Sequence, residues 1–334
     1  MTQEWNSLLA HQGLTPDAVH FGNPAGELLA ARDGGVVAPL LDLGVIRASG
    51  EDAAAFLHNL VSNDVKGIDV SHARFAGLCT PKGRLLALLL IWREGDDLLL
   101  MLPRDILPAI LKRLSMYVLR SKVKLTDATE QRVLIGIAAP NLPAPVSSLP
   151  PFGVSITASG QWLRLDDRRC LLVCTPESAI AQWPQQIANA HPVGTAAWQW
   201  LEIAAGQPRV VAATQEAFVP QMLNMELPAV AGVSFTKGCY PGQEIVARTQ
   251  YLGKVKRRTY RVRLASYAAP GTHVFAPETG AQHCGALVSV APSPDGGHEA
   301  LVCVQISAFE AGELHVGTPD GECLERLSLP YPIS

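Results

Sequence analysis

The sequence predicts an α+β protein with two α+β units followed by a small β-barrel. Between residues 40 and 205, short apolar runs alternate with segments of helical spacing, which is typical of mixed layers of strands and helices. From Lys256 onward, only short apolar runs separated by turn residues occur, and this pattern predicts an all-β barrel. With 334 residues, 48% of them hydrophobic, the chain can bury more than one core.

The first unit is predicted to begin after a polar segment. Residues 1 to about 35 contain Pro16, Pro24 and a Gly34-Gly35 pair, so we expect an irregular lead-in with one short helix. Periodicity then predicts, in order, strand 40–48, helix 51–61, strands 74–80 and 85–92, strand 98–102, helix 106–119 and strand 122–126. The insert Pro81-Lys82-Gly83 makes the second and third of these strands a hairpin.

The second unit is predicted to follow directly. Its elements are strand 132–138, a proline-rich linker 140–151, strands near Val154 and at 162–165 and 170–174, and a helix 178–190. The chain then continues as helix 198–205 and a loop-like segment 207–221. Together these elements indicate a second small α+β layer ahead of the barrel.

The stretch that carries most chemical information is the octapeptide Lys237-Gly238-Cys239-Tyr240-Pro241-Gly242-Gln243-Glu244, followed by a helical run 245–250. Its glycines and proline require a sharp turn that leaves a thiol and an aromatic ring accessible. Pro241 suits the first position of a helix, and Glu244 complements the positive end of the helix dipole. Cys239 then precedes a helix N-terminus two residues from Lys237, and both neighbours favour its thiolate. The alternative is a small buried cysteine in a turn.

Composition limits the classes of protein. A net charge of −3 and 17% charged residues argue against disorder and against a generally basic, nucleic-acid-coating surface. The N-terminal residues show no secretory signal, and the longest apolar run, 85–92, is far too short to span a membrane, so we expect a cytoplasmic protein. Seven cysteines without a CxxC pair predict neither a disulfide framework nor a metal site, and Cys170 and Cys174 are expected on a buried strand.

The octapeptide resembles the signature of the YgfZ-type folate-binding proteins, relatives of the aminomethyltransferase (T-protein) of the glycine cleavage system. Residues 56–65 and 218–224 are also similar to segments of these families. The resemblance implies three domains ringed around a central opening that tetrahydrofolate enters. They would be a discontinuous folate-binding α+β domain (1–130 and 196–250), a ferredoxin-like α+β domain (131–195) and a C-terminal β-barrel (251–334).

The resemblance also points to site residues. In the T-protein an aspartate follows the hairpin turn and acts on the folate nitrogen, but residues 83–88 hold no carboxylate here, which disfavours aminomethyl transfer by that route. Trp198 matches a folate-contacting tryptophan, with a core aromatic as the equal alternative. A second family tryptophan falls at Leu43 and a T-protein glutamate at Ala204, so Glu202 is the candidate for the pterin amino group. Gln243, Glu244 and Arg248 complete the predicted cofactor-binding set.

Charge is unevenly distributed around the octapeptide. Residues 237–263 contain eight basic residues and one acidic residue, a net +7, so the remainder of the chain carries −10. This asymmetry predicts an anionic partner, either the glutamate tail of a folate or an RNA. The alternative is an outward strand face on which Arg257, Arg261 and Arg263 are solvated. No aromatic-plus-glycine RNA-binding motif occurs, so direct nucleic-acid binding is not expected.

The leading hypothesis is a tetrahydrofolate-binding accessory protein. The resemblance links this class to iron–sulfur cluster assembly or repair and, through cluster enzymes, to tRNA modification, so iron–sulfur assembly proteins or cluster enzymes are the expected partners. Cys239, Lys237 and Tyr240 are the candidate reactive residues. One alternative is a folate-dependent one-carbon transferase whose acid–base group is Asp64 or Glu244, and another is a scaffold with a vestigial pocket. Whether the chain turns over a substrate is left open by the sequence.

Overall fold

A computed structural model describes residues 2–251, 253 and 255–333 of the chain. Its α-helices are α1 (Thr2–His11), α2 (Pro24–Asp33), α3 (Ala53–His58), α4 (Leu107–Met116), α5 (Ala144–Ser147), α6 (Pro176–Asn189), α7 (Thr195–Ala204), α8 (Gln243–Tyr251) and α9 (Ile306–Ala311). Its first eleven strands are β1 (Val36–Pro39), β2 (Leu43–Ser49), β3 (Arg74–Cys79), β4 (Leu85–Glu94), β5 (Asp97–Pro103), β6 (Lys124–Asp127), β7 (Val133–Ala138), β8 (Val154–Thr157), β9 (Gly160–Arg164), β10 (Arg169–Cys174) and β11 (His191–Pro192). The remaining strands are β12 (Arg257–Leu264), β13 (His273–Phe275), β14 (Gly285–Pro292), β15 (His298–Gln305), β16 (His315–Val316), β17 (Glu322–Cys323) and β18 (Glu325–Leu327).

The chain divides into two compact units. The first comprises Met1–Phe56, Val65–Arg74 and Leu90–Trp198, and the second comprises Leu57–Asp64, Phe75–Leu89 and Gln199–Ser334. The predicted α+β fold class is confirmed, whereas the three domain boundaries remain a prediction. Among the described residues, no helix combines the length and the hydropathy that a membrane span requires.

The first unit is built on a six-stranded sheet in the order β11-β1-β7-β10-β9-β8. All its pairs are antiparallel except the parallel pair β1 and β11. A second set of antiparallel pairs joins β2 to β5 and β6, and β5 to residues 90–94 of β4. Cys170 and Cys174 are buried in β10, as the sequence predicts.

The N-terminal prediction is wrong. Residues 1–35 contain two ten-residue helices, α1 and α2, instead of an irregular lead-in with one short helix. Trp5 and Leu9 are fully buried, and the Trp5 ring meets Trp183 of α6 edge-on with centroids 5.2 Å apart. Their four-residue spacing places both side chains on one face of α1, so this segment contributes to the core of the first unit.

The second unit contains the hairpin turn and the barrel. The turn after β3 is closed by hydrogen bonds from Thr80 N to Arg84 O (2.8 Å) and from Gly83 N to Thr80 O (2.9 Å), which confirms the predicted hairpin. The barrel is a seven-stranded antiparallel sheet in the order β17-β16-β13-β14-β15-β12-β18. Its interior is filled by alternating apolar residues such as Val262, Val302 and Leu314, which confirms the predicted barrel.

Candidate functional site

The octapeptide loop approaches the hairpin turn closely in the second unit. Gly242 adopts φ +83°, and a Cβ at this position would lie 2.4 Å from Thr80 O and 2.7 Å from the Gly83 Cα. Both the positive φ and the approach to backbone atoms require glycine. Gly242 therefore allows the loop that carries Cys239 to pack against the turn between β3 and β4.

Helix α8 begins directly after this loop. Its first residue is Gln243, so the prediction that Pro241 occupies the first helical position is wrong, and the proline lies in the preceding turn. Gln243 is partly buried and donates its backbone N–H to Tyr240 O (3.2 Å). Glu244 is exposed in the first turn, where its carboxylate complements the helix dipole.

Lys237 is held in place by two backbone carbonyls. Its half-buried Nζ donates to Val61 O at 2.7 Å and to the carbonyl of His58, the last residue of α3. The ammonium also lies 4.9 Å from the ring centroid of Tyr240. Burial lowers the pKa of Lys237 to about 8, against the opposing influence of the Asp64 carboxylate and the Cys239 sulfur. The side chain therefore gains or loses its proton close to neutral pH.

Cys239 presents an accessible thiol. It is exposed, as is Cys323, which argues against the alternative of a buried packing cysteine. Burial raises the pKa of the remaining five thiols, to about 11 for Cys284 and to about 12 for the others (Cys79, Cys170, Cys174 and Cys303). Thiol chemistry at neutral pH is therefore concentrated at the two exposed positions.

Tyr240 has a different environment from its neighbour. The prediction that the turn leaves this aromatic ring accessible is wrong, because only 8% of the residue is exposed. Burial raises the pKa of its phenol further above neutrality, with a smaller contribution from Cys79. The hydroxyl therefore stays protonated at neutral pH, and the ring faces the Lys237 ammonium. A direct chemical role for Tyr240 remains a prediction.

A histidine that the sequence analysis missed completes the cluster. Nδ1 of His58 lies 3.1 Å from Oδ1 of Asp64, the residue predicted as an alternative acid–base group. Both belong to segment 56–65, which resembles the family, so that resemblance was the available signal. The site thus combines His58 and Asp64 with Lys237 and Cys239, although about 175 residues separate the two segments.

The predicted stacking tryptophan is buried in the first unit. Trp198 lies in α7 with 1% of its surface exposed. Its ring covers Gly136 of β7, where an added Cβ would come within 2.6 Å of the ring. This packing favours the core alternative for Trp198, and its contact with folate remains a prediction.

Glu202 is engaged with a neighbouring arginine in the second unit. Only 9% of the residue is exposed, and Oε2 lies 2.5 Å from Nε of Arg209. Two buried donors close to it in sequence, Nε1 of Trp200 and Nε2 of Gln207, have no acceptor among the residues described. Buried donors usually find a partner, so an acceptor would be favourable at each of these two atoms.

The basic run is largely neutralised within the barrel unit. Arg258 pairs with Glu226, Arg261 with Glu299 and Arg263 with Asp295. The prediction that the basic run binds an anionic partner is therefore wrong for these three strand arginines, because neighbouring carboxylates neutralise them. Within the described part of the chain, Arg248 and Lys256 are exposed and form no ion pair, whereas Lys254 lies outside the described residues.

Strand β4 contains no carboxylate next to the hairpin turn. Leu85, Leu86, Ala87 and Leu88 are all buried there, and the first acidic side chain of the strand is Glu94. No group of three or more His, Cys, Asp and Glu residues suited to a metal ion occurs in the described ranges. Any acid–base chemistry near the hairpin turn must therefore use other groups, such as the His58–Asp64 pair and Lys237.

Comparison with known proteins relates both the sequence and the fold to one group. A protein from Colwellia psychrerythraea named tRNA-modifying protein YgfZ is 33% identical over 236 residues, which are 66% of this chain and 69% of that protein. A protein of the same name from Photobacterium profundum is 28% identical over 300 residues, 87% of this chain and 90% of its own length. No protein-family model matches.

Among solved structures, the aminomethyltransferase T of the glycine cleavage system from Bartonella henselae is similar with a TM-score of 0.76. The match covers 97% of this chain and 96% of that protein at 16% identity, so it shows a shared fold. The sequence matches place the chain in a known group that also has this fold: it belongs to the YgfZ-type family, and it shares the fold of an aminomethyltransferase.

Proposed function

We propose that this chain is a tetrahydrofolate-binding protein that supports tRNA modification through the assembly or repair of iron–sulfur clusters, with Cys239 as its reactive group. Relatives named tRNA-modifying proteins support the role in tRNA modification, and the aminomethyltransferase fold supports a folate ligand. The observation that carries the proposal is the exposed Cys239 thiol beside the fixed Lys237, in a unit whose β4 strand lacks the acid of a transferase.

The residues present suit a reduced folate in two respects. A pterin ring carries oxygen and nitrogen acceptors, which match the unpartnered buried donors of Trp200 and Gln207. The folate glutamate tail is anionic, and the exposed Arg248 and Lys256 are available to attract it. Tetrahydrofolate supplies nitrogen atoms that carry one-carbon units. Cys239 would act beside it by attack on carbon, by disulfide exchange or by holding iron.

Folate binding gives the first prediction. Tetrahydrofolate at about 100 times its dissociation constant is expected to stabilise the chain by roughly 2.7 kcal/mol, visible as a higher melting temperature. In the double variant Arg248→Gln/Lys256→Gln, binding of a polyglutamylated folate should weaken more than binding of the monoglutamate, and most at low salt, because exposed charges are screened over about 8 Å at physiological ionic strength.

A matched variant controls for the loss of two charges. Arg104→Gln/Lys66→Gln removes two exposed cations from the first unit and should leave both affinities unchanged. Equal weakening of both ligands by the Arg248 and Lys256 variant would show that these side chains are merely solvated. No stabilisation by any reduced folate would reject the proposed function and favour an interaction scaffold.

A folate-dependent aminomethyl transferase is the second candidate, because His58 and Asp64 form an imidazole–carboxylate pair beside Lys237. From the apolar β4 strand we nevertheless expect no aminomethyl transfer to tetrahydrofolate above the uncatalysed background, since leucine and alanine can neither accept a proton nor stabilise positive charge. The measurement is product formation by purified chain. Turnover that disappears in Asp64→Asn or Glu244→Gln would establish the transferase instead.

A further inference from the structure

A group of exposed apolar side chains lies in the first unit, at the end of helix α4. Three large apolar side chains cluster there within four residues: Met116 is 62% exposed, Tyr117 44% and Leu119 89%. The buried face of α4, formed by Leu107, Ile110 and Leu114, already covers the sheet. The exposed cluster is thus separate from the core contacts of this helix, and such clusters commonly mark interaction sites.

The same segment is strongly basic. Residues 106–126 contain five cations and no carboxylate: Lys112, Arg113, Arg120, Lys122 and Lys124. Lys122 pairs with Glu51, whereas the other four form no ion pair within the described part of the chain. We refer to residues 112–124 as the α4 surface. In the described part of the chain, Lys122 alone among these five residues contacts carboxylates: its side chain pairs with Glu51 and its backbone N–H donates to Asp52. The other four cations are not neutralised, so the α4 surface attracts anions.

The backbone holds the tip of this surface in a defined shape. Leu119 adopts φ +44°, the left-handed region that a leucine rarely occupies, and Ser121 N donates to Val118 O at 2.8 Å across the tip. Strain of this kind persists where the surrounding structure maintains it and is concentrated at functional positions. The turn therefore presents Leu119 and Arg120 outward together.

We propose that the α4 surface binds single-stranded RNA. Its cations would contact phosphates, Tyr117 would stack on a base, and Leu119 with Met116 would insert beside neighbouring bases, as apolar side chains do between base steps. This function goes beyond the proposed folate role and involves other residues in the other unit. It also differs from the expectation based on sequence, which rests on the 237–263 run and on the absence of an aromatic-plus-glycine motif.

The alternatives account for fewer of the observations. An anionic membrane would attract the cations, but only three apolar side chains are available for insertion, and Glu51 and Asp52 border the surface through Lys122. A protein partner would have to supply at least four carboxylates opposite Lys112, Arg113, Arg120 and Lys124. A polyanion with aromatic faces satisfies both the charge and the exposed ring.

The test measures binding of a fluorescein-labelled 20-nucleotide oligouridine to the full chain by anisotropy between 50 and 200 mM salt. In Lys112→Gln/Arg113→Gln/Arg120→Gln, the slope of log affinity against log salt should fall by about 2, since each phosphate contact contributes about 0.7 on a single strand. Tyr117→Ala should weaken binding by about fivefold or more at an unchanged slope. Leu119→Gly, which suits the left-handed backbone, should weaken it without loss of thermal stability.

The controls remove similar groups elsewhere. Tyr267→Ala deletes an exposed tyrosine of the barrel (63% exposed), and Lys66→Gln/Arg104→Gln/Arg168→Gln deletes three other exposed cations. Both should bind the oligonucleotide like the unaltered chain. The proposal is overturned if the unaltered chain does not bind the oligonucleotide, or if the controls lose as much affinity as the α4 variants. Binding to phosphatidylserine vesicles is measured in parallel. The proposal is also overturned if the α4 variants lose binding to these vesicles but keep binding to the oligonucleotide. Because folate stabilisation is measured separately, its outcome does not affect this test.

Discussion

Replacing Trp198 by alanine is expected to lower the free energy of unfolding by about 3–5 kcal/mol, because the indole is buried in the first unit and its removal leaves a large cavity. The ring is 1% exposed and covers Gly136 so closely that an added methyl group would lie 2.6 Å from it. No other side chain can fill the space above a glycine without rearrangement. The measurement is equilibrium unfolding in urea, followed by circular dichroism.

The folate hypothesis for Trp198 predicts a different result. If the ring stacks on a pterin, Trp198→Ala should reduce folate-dependent quenching of tryptophan emission while costing less than about 1 kcal/mol, as surface changes do. Trp198→Phe preserves most of the packing, so it should retain most of the stability in the core role. Tyr267→Ala, at an exposed position of the barrel, is the matched control and should leave the stability nearly unchanged.

Local patterns were sufficient for most elements of the fold. The hairpin around Pro81-Lys82-Gly83 and the barrel strands are determined by turn residues and apolar alternation that a short window contains. The N-terminal helices were missed because polar composition and two prolines outweighed the helical spacing of Trp5 and Leu9. Their burial depends on Trp183, which no local window includes.

The candidate site shows the same division between local and distant information. The turn, the exposed thiol and the role of Gly242 follow from the octapeptide, because its glycine and proline content restricts the backbone. Neither the contact of Lys237 with Val61 nor the charge-balancing Glu226 and Glu299 could be predicted, since these partners lie far away in sequence. Net charge over a segment therefore overestimated the free charge of its surface.

Cys239 is expected to be alkylated faster than any other thiol of the chain at pH 7.5. The five buried cysteines have pKa values raised to about 11 or 12, so less than about one thiol in a thousand is ionised among them. Cys323, the other exposed thiol, has two carboxylates close to it in sequence, Glu322 and Glu325, whereas Cys239 has the Lys237 ammonium beside it. Mass spectrometry of iodoacetamide-treated chain gives the order of reaction.

The lysine adds a pH dependence to this order. The pKa of Lys237 is lowered to about 8, so its charge is present below this pH and is lost as the pH rises through it. Lys237→Gln should therefore slow alkylation of Cys239 most below pH 8, and the difference from the unaltered chain should shrink above it. A constant difference between pH 6.5 and 9.5 would show that Lys237 acts through the shape of the loop rather than through its charge.

Replacing Cys239 by serine is expected to abolish cellular function while preserving both the fold and folate affinity. The side chain is exposed, so a hydroxyl of nearly the same size leaves the packing of the loop unchanged, but it stays neutral and is a poor nucleophile at physiological pH. Complementation of cells that lack the protein measures function. Thermal unfolding with and without tetrahydrofolate measures the stability of the fold and the binding of folate. Cys239→Ala should behave alike, and Cys323→Ser, the matched exposed control, should complement fully.

If both Cys239 variants instead lower the melting temperature by several degrees while activity per folded molecule is retained, the sulfur is a packing atom and the octapeptide acts through its backbone shape alone.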